Sequence, residues 1–178
     1  MGWCGFPPAA GNGLDRGGPH RRGLFPNFLL RWQGENCGAA MTQYWLVKSE
    51  PGAFSWNQQA ANGVEAWTGV RNHAAKLNLK AMKEGDRAFF YHSSVGKEIV
   101  GVVEVVRTAF PDPTAESGDW VAVDMKAVGP MPKPVTLEAI RADPKLADIL
   151  LVRQSRLSVM PISKLHWDRI CRMGGWKR

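Results

Sequence analysis

The sequence predicts an α+β domain that is mainly β: a small, mostly antiparallel β-barrel with short helices on its flanks. Short runs rich in β-branched and aromatic residues recur from Tyr44 to Met160, divided by turns that contain Gly or Pro. The helical stretches between them are short and carry their own caps. A length of 178 residues suits one hydrophobic core rather than two. Short strands interrupted by short helices close most readily as a small barrel.

The elements follow in order. Tyr44-Trp45-Leu46-Val47-Lys48 has the composition of a short buried strand. Ser55 opens a helix with Gln58 three residues later, a capping-box pattern, and Gly63 closes it. A longer helix is expected from Asn72 to Met82, with Ala75, Leu79 and Met82 on its apolar face and Gly85 as its stop. Asp86 to His92 and Ile99 to Arg107 flank the turn Ser94-Val95-Gly96-Lys97, which predicts a hairpin. Pro111-Asp112-Pro113 starts a loop, and Trp120 to Val128 reads as the next strand. Pro130, Pro132 and Pro134 then predict a semi-rigid connection. Thr136 caps a short helix that Asp143-Pro144 breaks, and a further helical turn covers Lys145 to Ile149. Arg156 to Met160 reads as the last strand, and Ser163 caps a final helix ending at Gly174-Gly175.

The chain divides near Met41 into a leader, residues 1–40, and a domain, residues 41–178. The leader is rich in Gly and Pro and has no sustained apolar periodicity, so it cannot offset the entropy of ordering itself. It is expected to be a disordered tail or an over-long gene start. Arg21-Arg22 before Leu24-Phe25 and Phe28-Leu29-Leu30 invites comparison with an export signal, but Pro26, Asn27 and Arg31 cut the apolar stretch too short.

Charge and cysteines bound the function. The net charge is +7, of which the leader supplies +2, and this favours a polyanionic partner only weakly. No apolar run approaches the roughly 20 residues of a membrane span, so no membrane partner is expected. Three widely spaced cysteines, Cys4, Cys37 and Cys171, fit a reducing compartment: the cytoplasm, with nucleoid or RNA association in a bacterium, or a nucleus. His73 has no Cys or His at ligand spacing, so neither metal nor cofactor is expected.

The motifs are more specific than the composition. Tyr44-Trp45-Leu46-Val47-Lys48-Ser49-Glu50-Pro51 is followed by Trp67-Thr68-Gly69-Val70-Arg71-Asn72, Gly85-Asp86 and Tyr91-His92-Ser93. Then come Ile99-Val100-Gly101-Val102-Val103, Pro111-Asp112-Pro113-Thr114 and Arg156-Leu157-Ser158-Val159. In order and spacing, from Met41 to the C-terminus, this series resembles the EVE domain family. The resemblance implies a PUA-like barrel related to the YTH domain, a reader of N6-methyladenine in RNA. It implies a non-enzymatic module for nucleic acid carrying a modified base, with modified cytosine in DNA first and modified RNA second.

On that resemblance, Lys48 and Ser49 belong to the pocket wall, although composition alone reads them as a solvated strand end. Trp67 opens the motif whose Trp forms a cage wall in YTH domains. The polar residues after it, Thr68, Arg71 and Asn72, suit a pocket lip better than a sealed core. Arg71 and Asn72 begin the long helix, where free N–H groups favour anions, but Asn72 is equally a plain N-cap. Tyr91, His92 and Ser93 end a strand at the hairpin mouth, where His92 is able to read a base edge. Arg156 and Ser158 are assigned to the last strand, with Arg156 pairing either a phosphate or an internal carboxylate. Phe110 and Trp120 are both candidates for a second aromatic wall. Trp56 stands where the family often carries an aliphatic residue, and either packs on the barrel or extends the pocket.

Two rival classes remain. One is an enzyme acting on a nucleotide or nucleobase, with His92 as acid–base and Ser49, Ser93 or Cys171 as nucleophile, though no nucleophile elbow is present. The other is a small-molecule sensor or a protein-interaction domain. The basic C-terminal run from Arg153 to Arg178 is either a solvated face or a track for a nucleic-acid backbone.

Overall fold

In the computed structural model, which describes residues 42–177, the strands are β1 (Tyr44–Ser49), β2 (Val64–Ala66), β3 (Arg87–His92), β4 (Glu98–Pro111), β5 (Val121–Thr136) and β6 (Val159–Ile162). They form one mixed sheet in the order β2-β5-β4-β3-β1-β6. β1 and β3 pair in parallel and the other neighbours are antiparallel. No pairing joins β2 to β6 among the described residues, so the barrel is open. The helices are α1 (Trp56–Asn62), α2 (His73–Ala81), α3 (Leu137–Ala142), α4 (Leu150–Arg153) and α5 (Lys164–Gly174), with a 3-10 turn at Pro144–Leu146. The leader expected over residues 1–40 lies outside the described residues.

The helix starts follow the sequence closely, because a cap is a local device. Ser55 and Gln58 form the reciprocal capping box of α1. Asn72 caps α2 by accepting from the Ala75 N–H at 3.0 Å, and Thr136 and Ser163 do the same for α3 and α5. The α2 face is as expected, with Ala75, Leu79 and Met82 buried, although the helix ends at Ala81 and Gly85 turns the chain into β3.

The strands depart from expectation in three places. β2 has no signal in the sequence: three residues, Val-Glu-Ala, carry no periodicity, and only pairing with Asp124–Lys126 makes them a strand. The expected connection at Pro130, Pro132 and Pro134 is instead the second half of β5, which runs through all three. Prolines at every second position leave their missing N–H groups on one side of the strand. β5 meets β2 at Asp124–Lys126, with one further bond from the Ala127 N–H to the Gly63 carbonyl, so beyond Ala127 that side is a sheet edge needing no donors. Register shifts against β4, between Ile99 and Gly101, absorb the distortion. The last strand lies at Val159–Ile162 rather than Arg156–Met160, and the segment at Ser155–Arg156 is a turn. Likewise the helical turn expected over Lys145 to Ile149 is a 3-10 turn at Pro144–Leu146, and α4 begins beyond it, at Leu150.

Both faces of β3 carry aromatic packing. Phe89 stacks on Trp167 of α5 at 3.9 Å, and Tyr44 lies against the same indole at 4.5 Å. Phe90, pointing the other way, meets Trp56 and Trp67, each at 5.5 Å. Trp56 therefore packs on the barrel. Its ring lies over Gly101, where an added Cβ would come within 2.4 Å of it, so β4 keeps a glycine beneath the indole.

Candidate functional site

β1, the turn after it and the segment following β2 enclose a cleft of about 490 Å³. Trp67 and Phe54 supply its aromatic surface, with centroids 6.4 Å apart and rings nearly perpendicular at 81°. Lys48, Ser49, Glu50, Thr68 and Ser158 line it, with Glu65 and Arg71. Trp67 is 8% exposed and belongs to the core as well as to the cleft. The polar residues after it therefore mark a lip, while the indole itself is anchored edge-on against Phe90.

The lip is held by a buried carboxylate. Asp112 Oδ2 accepts from the Gly69 N–H at 2.9 Å and from Arg71 Nη1 at 2.6 Å. Oδ1 accepts from the backbone and the hydroxyl of Thr114. Burial pushes the Asp112 carboxyl up, but the bonds from Arg71, Thr114 and Gly69 outweigh it and hold the pKa at about 2. Gly69 turns at φ 76°, which an L side chain adopts only with strain. Arg71 also donates to Thr114 Oγ1, so its guanidinium is tied to the loop after β4. The expected role as a phosphate contact thus falls to a side chain already committed to an internal carboxylate.

Phe54 is placed by Ser49, whose hydroxyl donates to the Phe54 carbonyl at 2.6 Å. Lys48 Nζ reaches the Ser155 carbonyl at 3.0 Å and that of Gln154 at 3.5 Å, and burial pushes its pKa down. It stands between this cleft and a second one of about 460 Å³, which it also lines.

The other expected site residues are distributed by strand alternation. Tyr91 and Ser93 line the second cleft, not the Trp67 cleft. His92 faces the opposite side, where its Nε2 accepts from the Trp56 N–H at 3.1 Å and its ring meets Phe90. Burial lowers the His92 pKa and Glu98 opposes this, so the imidazole is neutral at pH 7 and its acceptor nitrogen is used by the α1 backbone. Arg156 lines a third, shallower depression of about 340 Å³ with Asn72 and Arg153.

Neither expected second wall lines the Trp67 cleft. The Phe110 ring lies 4.0 Å beneath the Arg107 guanidinium at the end of β4. Trp120 packs on α2, with the His73 ring at 5.0 Å and Lys76 Nζ at 5.1 Å. Phe110 ends β4 and Trp120 directly precedes β5, and sequence spacing cannot orient either ring. Phe54 carries no site signal in the sequence, because an aromatic just before an N-cap reads as local packing. The basic run is also partly spent: Lys164 pairs with Asp168, and Arg169 with Asp143. Cys171 is buried in α5. No group of three or more His, Cys, Asp or Glu able to hold a metal occurs among the described residues. No helix among them is long and apolar enough to cross a membrane.

Known proteins resemble this chain in sequence and fold. Thymocyte nuclear protein 1 of the mouse is 32% identical over 170 residues, covering 76% of this chain and 75% of that protein. The structure of Rpa0253 from Rhodopseudomonas palustris is 57% identical, with a TM-score of 0.73 over 77% of this chain and 96% of that one. Human THYN1, solved in complex with DNA containing 5-methylcytosine, is 27% identical, with a TM-score of 0.69 over 77% of this chain and 100% of that one. The fold alone is shared with the YTH domain of Zygosaccharomyces rouxii MRB1, at 16% identity and a TM-score of 0.52 over 76% of this chain and 88% of that one. The EVE domain model matches residues 43–173, and the chain belongs to the EVE domain family.

Proposed function

We propose that the chain is a nucleic-acid-binding module whose Trp67 cleft takes a modified nucleobase out of its stack. The observation that carries this reading is the cleft itself: two aromatic rings at right angles, bordered by cations and carboxylates together. A base stacked on the Trp67 face would meet Phe54 edge-on, and base–aromatic stacking contributes about 1–3 kcal/mol per base. Glu50 and Glu65 suit the exocyclic amine of a base far better than they suit a phosphate, since a carboxylate accepts from cytosine N4. Ser49, Thr68 and Ser158 offer hydroxyls to the remaining base edge. A methyl group buried there adds about 0.8 kcal/mol.

Modified cytosine in DNA is the first ligand proposed, supported by the human relative solved with 5-methylcytosine DNA. Modified RNA is the second. The bond from the Trp56 N–H to His92 favours a binding module over the acid–base alternative. The test is to purify the protein with its bound nucleic acid, digest it and quantify nucleosides by mass spectrometry. Enrichment of a modified nucleoside over bulk, reduced in Trp67→Phe, is expected. Nucleosides in bulk proportions would overturn the proposal.

A further inference from the structure

The second cleft, across Lys48 from the first, is not absorbed by base recognition. Its wall includes Tyr91, Leu137 and Leu151, and Lys97 and Arg141 bring cations to it alongside Lys48. Glu138 is its one carboxylate, so the lining carries a net positive charge, unlike the mixed lining of the Trp67 cleft. No carboxylate pairs with Lys97 or Arg141 among the described residues.

The turn that carries Lys97 is held in an unusual conformation. Ser94 and Lys97 both lie at positive φ, 66° and 47°, which costs a residue with a side chain. The Lys97 carbonyl is fixed there by the Leu137 N–H at 2.8 Å, at the start of α3, the helix that bears Arg141. Strained turn and helix thus present their cations to the same hollow. A volume of about 460 Å³ with apolar surface on one part and cations on another fits a sugar and base with a phosphate, rather than an inorganic anion alone.

From this we infer that the Lys97–Arg141 cleft holds the nucleotide next to the one in the Trp67 cleft, with Lys97 and Arg141 on its phosphate. The inference rests on the base-binding reading above. It makes Lys48 the partition between two successive nucleotides.

The test is calorimetric titration of the full chain and of the Lys97→Ala/Arg141→Ala double variant. The probes are 5-methyl-2′-deoxycytidine, its 5′- and 3′-monophosphates, and dinucleotides extended on either side. Both proteins are expected to bind the nucleoside alike and to melt alike, since both changed side chains are exposed. One dinucleotide should bind the wild type about ten-fold more tightly than the nucleoside, a gain typical of charge-assisted contacts, and the variant should lose it. A dinucleotide gain that survives in the variant would overturn the inference and leave the base reading standing. So would a monophosphate that yields the whole gain, because the cations would then serve the flipped nucleotide's own phosphate. A wild type that binds no nucleoside would overturn the base reading, and this inference with it.

Discussion

Arg71 and Asp112 are 41 residues apart in sequence and 2.6 Å apart in space, and the same carboxylate oxygen takes the Gly69 N–H. This joint ties the lip of the Trp67 cleft to the loop after β4. Removing its charge should loosen the lip. Asp112→Asn is expected to cost about 1–3 kcal/mol in chemical denaturation, the usual consequence of unsatisfying buried polar groups. It should weaken ligand binding further than the stability loss alone explains. An unchanged midpoint would show that the joint bears no load.

The same joint predicts an acid limit. The Asp112 carboxyl titrates at about 2 in the folded protein, below its ordinary 3.8, so its contribution is complete above pH 4. It is lost as the pH falls from there towards 2. The wild type should lose stability over that window more steeply than Asp112→Asn does, as read by denaturation at successive pH values.

Gly101 and Trp56 form a second dependency. Gly101→Ala should destabilise by about 1–3 kcal/mol, because the added methyl meets the indole and the core has no slack. Gly101→Ala combined with Trp56→Leu should recover part of that loss. Additive losses in the double-mutant cycle would separate the two residues.

His92 makes a third prediction. Its folded pKa lies below the ordinary 6.5, so stability is complete above about 6.5 and declines as the pH falls below that value. His92→Gln should flatten the decline of melting temperature between pH 7 and pH 5. A titration by NMR with a midpoint above 6.5 would contradict the buried acceptor role.

What the sequence made legible was mostly local. The capping box at Ser55 and Gln58, the Asn72 cap, the hairpin around Ser94–Lys97 and the final helix depend on neighbours in the chain, and they appear where the residues imply. The proline-bearing half of β5 was not legible, because a strand tolerates proline according to which side is an edge, and that depends on β2. The site divides similarly. Lys48, Ser49, Trp67, Thr68, Arg71 and Ser158 share one cleft. Tyr91 and His92 go elsewhere because successive strand residues face opposite sides. Asp112 acquires its position only through a tertiary bond, to Arg71, and Phe54 through a turn that closes on Ser49 five residues before it, which residue types alone do not signal.

Most direct is a titration of wild type and Trp67→Phe with oligonucleotides that differ only by cytosine methylation, alongside N6-methyladenine RNA. Phenylalanine is the substitution to use, because Trp67 is 8% exposed, and truncation to alanine in a core costs about 3–5 kcal/mol of stability, which would confuse binding with unfolding. The wild type is expected to prefer at least one methylated probe over its unmodified twin. Trp67→Phe should keep a cooperative melt and lose part of the roughly 1–3 kcal/mol that stacking supplies. A wild type indifferent to methylation in every probe, or a Trp67→Phe variant that binds each probe as tightly as the wild type, would contradict the assignment of this cleft to a modified base.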